Sequence, residues 1–68
     1  MNVRDPRAPP LKNRVAYAAK VLAEGLPMNR AFDDCFEWGD GAEVVAALRK
    51  LAMSDPRIAA PLGRYITR

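Results

Sequence analysis

Sixty-eight residues leave room for one small domain, so multidomain enzymes and repeat arrays are excluded at the outset. Half of the residues are hydrophobic and 28% are charged, with a net charge of +3, a globular balance that excludes a disordered chain. A single cysteine and no histidine exclude a disulfide staple and remove the commonest metal ligand, so dimerisation is the expected supplement to a thin core.

Residues 1–9 read as an extended basic arm, because Pro6 and Pro9 withhold backbone donors and favour extended conformations. With Pro9 or Pro10 set for a first helical turn, Leu11, Val15, Ala18, Ala19 and Leu22 then repeat along one helical face, and Gly25 offers a left-handed stop. A first helix is predicted over residues 10–24. Tyr17 and Val21 lie on an adjoining face with Arg14 beside them, more apolar girth than two short partner helices require, which predicts a second contact surface.

Pro27 restarts the chain, and Met28, Ala31, Phe32, Cys35 and Phe36 recur at helical spacing, predicting a second helix over residues 27–38. Its wet face carries Asn29, Arg30, Asp33, Asp34 and Glu37 and is acidic, with Arg30 in reach of Asp33 or Asp34. Gly39 ends that helix. Asp40 with Glu43 three positions on resembles a capping box at the start of a third helix over residues 41–53, whose buried stripe is Val44, Val45, Leu48, Leu51 and Ala52. Ser54, Asp55 and Pro56 form a further cap, while Pro61 and Gly63 limit the last element to a short turn over residues 56–60, with Leu62, Tyr65 and Ile66 covering the core.

The expected fold is therefore all-α: a small three-helix domain over residues 10–68, with an extended Pro-rich N-terminal arm and a short C-terminal helical turn, assembled as a dimer. No apolar run approaches the roughly 18 residues that span a bilayer, and the first residues carry no hydrophobic leader, so the chain is expected in the cytoplasm with no membrane partner. Eight arginines against three lysines, with abundant alanine, point to a GC-rich bacterial or phage genome.

Charge is distributed in blocks. Arg4, Arg7, Lys12, Arg14 and Lys20 make residues 1–20 basic, six carboxylates against Arg30 make residues 21–43 acidic, and Arg49, Lys50, Arg57, Arg64 and Arg68 make the remainder basic again. An acidic centre between basic ends suits an interaction module with two differently charged surfaces better than a uniform nucleic-acid binder, although mutual neutralisation within the fold explains it equally well.

The chemistry-bearing residues are sparse. Ser54, Cys35 and Thr67 are the candidate nucleophiles, and with no histidine as base they do not make an enzyme; Cys35 sits between Phe32 and Phe36 as a packing thiol. The carboxylates from Asp33 to Glu43 fail the calcium-loop pattern, since aligning either Gly39 or Gly41 as its central glycine places aromatic residues among the ligand positions. No metal and no cofactor is expected. A helix-turn-helix reading fails on the second helix, whose exposed carboxylates repel phosphate, and is thin on the third, which offers only Arg49 and Lys50. Trp38, at the edge of the apolar face, reads either as a lid on the core or as an interface anchor.

The expected function is that of a small, non-catalytic regulatory or inhibitory protein of phage or mobile-element type, acting by protein–protein binding. Its contact residues are expected to be Asp33, Asp34, Glu37 and Trp38 with the Tyr17 and Val21 strip, which serves alternatively as a homodimer seam. The competing expectation is a dimeric DNA- or RNA-binding regulator that uses Arg4, Arg7, Arg49, Lys50, Arg64 and Arg68.

Overall fold

A computed structural model describes residues 7–67. They form four helices and, among the described residues, no strand: α1 (Leu11–Glu24), α2 (Arg30–Asp34), α3 (Gly41–Ala52) and α4 (Pro56–Thr67). All four feed one core, in which Ala18, Val21 and Leu22 of α1 meet Phe32 of α2, Val44 and Leu48 of α3, and Ile58 and Leu62 of α4. None of the helices is long and apolar enough to cross a membrane.

The first helix begins after Pro10, whose extended backbone and carbonyl start the helical ladder, and it stops at Gly25, where φ is 67°. The Gly25 and Leu26 amides both donate to the Val21 carbonyl, so the left-handed glycine closes the helix as its sequence position predicts.

Helix α2 is much shorter than the 27–38 span that periodicity implies, and two side chains account for both ends. The Asn29 Oδ1 accepts from the amides of Ala31 and Phe32 at 3.1 and 3.4 Å, so the helix starts beyond Pro27 and Met28, and Met28 is exposed. At the other end the Cys35 carbonyl, which a continuing helix would give to the Gly39 amide, accepts instead from Arg14 Nη1 at 3.4 Å. The amides of Cys35, Phe36 and Glu37 each reach back only three residues, tightening the chain into turns, and Gly39 takes φ 85°.

Helix α3 matches its predicted span to within a residue, but its start is not a capping box. The Asp40 side chain makes no cap hydrogen bond and is fully buried, because it is committed to Arg14. Gly41 opens the helix under a close neighbour: a Cβ there would lie 2.7 Å from the Phe36 carbonyl oxygen. Gly41→Ala is thus expected to destabilise the domain by about 1–3 kcal/mol despite alanine's better helix propensity, read as a lowered urea midpoint.

The largest departure is α4, which runs through Pro61 and Gly63 where the sequence predicts only a short turn over residues 56–60. Asp55 starts it, accepting from the Arg57 amide at 3.0 Å, and hydrogen bonds from the Arg57 guanidinium hold the Asp55 carboxyl below its usual range. Pro61 forfeits one bond to the Arg57 carbonyl, and Gly63 costs up to about 1 kcal/mol relative to alanine. Against these, Ile58, Leu62 and Tyr65 fall on one face at helical spacing and pack on the core. Burial of that face outweighs the two breakers.

A full fourth helix changes what the rest of the chain exposes. It packs on both α1 and α3, and Val21 joins the same buried cluster as Ile58 and Leu62, so the Val21 part of the surplus apolar girth of α1 is consumed within the fold while Tyr17 stays exposed. Leu51 and Ile66, predicted to lie in the core, are partly exposed instead. Of the predicted arm, residues 1–6 lie outside the described residues; Pro9 and Pro10 carry no regular secondary structure.

Candidate functional site

The site is built around a buried ion pair. Arg14 Nη1 and Nη2 donate to the two carboxylate oxygens of Asp40 at 2.6 and 2.8 Å, a bidentate pair with both side chains out of solvent. Nε of the same guanidinium donates to the Pro9 carbonyl at 3.0 Å, and Nη1 also reaches the Cys35 carbonyl. No buried side-chain polar atom is left without a partner among the described residues. Hydrogen bonding to Asp40 raises the guanidinium above its ordinary pKa against the opposing effect of burial, so Arg14 keeps its charge inside the fold. One side chain thereby ties the segment before α1, the end of α2 and the start of α3 to one another.

Beside this pair, between α1 and α2, lies a groove of about 380 Å³. Tyr17 and Asn13 of α1 line one side, Ala31, Asp34 and Trp38 the other, with Pro9, Arg14 and Cys35 completing it. Three residues singled out from the sequence, Tyr17, Asp34 and Trp38, are brought together here. Tyr17 is 41% exposed and Trp38 half-buried, so neither aromatic side chain is fully covered by the fold. Asp34 pairs with Arg30 at 3.1 Å, an exposed i, i+4 contact that holds the side chain only weakly. Glu37 is exposed on the adjoining turn.

The other two predicted contacts belong elsewhere. Asp33 turns toward α4 and accepts from the Tyr65 hydroxyl at 3.3 Å, and Val21 is 1% exposed in the core. The acidic face is therefore divided, with Asp33 serving the α2–α4 junction and Asp34 the groove. Sequence reasoning places Arg14 only beside the apolar strip; the signal for its burial is its position between Leu11 and Ala18, on the stripe itself.

Cys35 is buried, with its thiol aimed at the Ala31 carbonyl at 3.5 Å. Burial pushes its pKa up and the Arg14 charge only partly offsets this, so it sits as a packing thiol. Ser54 Oγ donates to the Leu51 carbonyl at the end of α3. Among the described residues no group of three or more metal-ligating side chains converges.

Of the alternative nucleic-acid set, Arg7, Arg49, Lys50 and Arg64 are exposed, while Arg4 and Arg68 lie outside the described residues. Arg49 stands at a second groove, about 340 Å³, between α3 and α4, which Met53, Leu62, Gly63 and Ile66 line with apolar surface. No family model, no curated protein and no solved structure matches the chain.

Proposed function

We propose that this chain is a small, non-catalytic regulatory protein of bacterial or phage origin that acts in the cytoplasm by binding another protein through the groove between α1 and α2. The observation that carries this reading is the convergence of Tyr17, Trp38 and Asp34 on one groove beside a fully satisfied buried ion pair. Half-buried aromatic residues around a concave surface are the anchors that dominate protein interfaces. Asp34 and Glu37 at its edge fit a basic partner, including a surface that otherwise holds nucleic acid.

The test is a tagged pull-down from bacterial lysate with and without nuclease, run in parallel for Trp38→Ala and for the double charge reversal Asp34→Lys and Glu37→Lys. Asp33 is left intact because it is engaged with Tyr65. The expected result is a stoichiometric protein that survives nuclease, with Trp38→Ala weakening its binding by about 2 kcal/mol or more, roughly thirtyfold, and far-ultraviolet circular dichroism unchanged. Nucleic acid recovered alone, or a protein lost after nuclease, would overturn this reading in favour of the exposed Arg49, Lys50 and Arg64.

A further inference from the structure

At about 380 Å³ the groove between α1 and α2 lies near the lower end of the roughly 300–1,000 Å³ range of ligand pockets, room for one long side chain and not for a helix. Its walls are mixed. Tyr17 and Trp38 supply aromatic surface, Pro9, Ala31 and Cys35 supply most of the remainder, and Asp34 brings a carboxylate. Arg14 also lines the groove but adds no unbalanced charge, because Asp40 takes both of its Nη groups and the Pro9 carbonyl takes its Nε. Asp34 is therefore the charge that an occupant meets.

Asp34 is only loosely engaged. Its Oδ1 accepts from Arg30 Nε at 3.1 Å, in a pair whose side chains are 84% exposed on Arg30 and 50% on Asp34, and its Oδ2 takes no hydrogen bond among the described residues. An exposed i, i+4 pair of this kind is screened by water and yields to a better partner. Arg30 does not line the groove, so the carboxylate can be met from within it.

An apolar side chain would fill the space but leave Asp34 unmatched, and an anion would be repelled. A lysine ammonium matches the charge but is compact and strongly hydrated, and it loses that shell against apolar walls. A guanidinium is planar and weakly hydrated, stacks on aromatic rings and offers paired donors to a carboxylate. We propose, resting on the docking role given to this groove above, that it takes a single arginine side chain of the partner protein. The guanidinium lies against Tyr17 and Trp38 and donates to Asp34, and Arg30 is the internal competitor that it displaces.

The test uses the full chain labelled with nitrogen-15 and three capped tripeptides, glycine on either side of arginine, lysine or citrulline, the last being the neutral isostere of arginine. The arginine peptide is expected to shift the Trp38 indole and Asn13 side-chain amide signals, saturating with a Kd on the order of 1 mM, while the citrulline peptide does not saturate. Asp34→Asn, which keeps the shape and removes the charge, should weaken the arginine peptide about fivefold or more, and Trp38→Leu about threefold or more. Arg30→Ala should tighten it about twofold, because the competitor is gone. Equal binding of the citrulline peptide, tighter binding of the lysine peptide, or indifference to Asp34→Asn and Trp38→Leu in folded protein would overturn the proposal. A lysate partner that depends on Trp38 but not on the Asp34 charge would overturn it too, and would leave the docking groove standing. Arginine binding with no partner recovered from lysate would do the reverse, sustaining the guanidinium site and overturning the docking role.

Discussion

Asp40→Ala is expected to leave the domain largely unfolded at room temperature. The substitution strands the Arg14 guanidinium in the core with a carbonyl at either side and no counter-charge, and breaking a buried pair in this way costs about 3–5 kcal/mol. A chain of this length holds about 3–10 kcal/mol in all, so the loss takes most of the stability. Thermal and urea unfolding followed by circular dichroism measures it. Replacing both partners with apolar residues, Arg14→Met with Asp40→Leu, should restore most of what the single substitution removes, because no charge then remains to be desolvated. A single variant as stable as the parent would show that the pair is not what joins the three segments. Arg14→Lys should fall between, since an ammonium cannot serve both carboxylate oxygens and the Pro9 and Cys35 carbonyls at once.

Phe32→Ala should produce the second large loss, again about 3–5 kcal/mol. Phe32 is fully buried, and its ring meets those of Phe36 and Tyr65 edge-on with centroids 5.3 and 5.1 Å apart. A five-residue helix has no independent stability, so α2 keeps its shape through this ring cluster, the Asn29 cap and the contact between Tyr65 and Asp33. Native-state hydrogen exchange should therefore show protection lost first at residues 31–37, ahead of the centres of α1 and α3. Uniform loss across all four helices would show instead that α2 is not a separate unit.

How much of the fold is legible in the sequence depends on what governs each element. α1 and α3 are governed by local signals, an apolar stripe at helical period between Pro10 and Gly25 in one case and beyond Gly39 in the other, and their observed spans lie within a residue of the predicted ones. The extent of α2 depends on where Arg14 directs its guanidinium, a contact 21 residues away in sequence that no periodicity reveals. In α4 the breakers Pro61 and Gly63 are visible and so is the spacing of Ile58, Leu62 and Tyr65; what decides between them is the space on α1 and α3 that these side chains fill. The site inherits the same division. The places of Tyr17, Asp34 and Trp38 on helical faces are legible, whereas the burial of Val21 and the contact of Asp33 with Tyr65 depend on a fourth helix whose full length the breakers conceal.

The guanidinium of Arg14 also bears on how the first groove would work in time. Its wall at Cys35 and its neighbour Pro9 are both held by that one side chain, so the cleft stands open and shaped before anything arrives. A partner would find those backbone walls set, with less ordering entropy still to be lost there. Association would then be governed by diffusion and orientation, nearly the same for every candidate, and selectivity among competitors would appear as residence time on the surface.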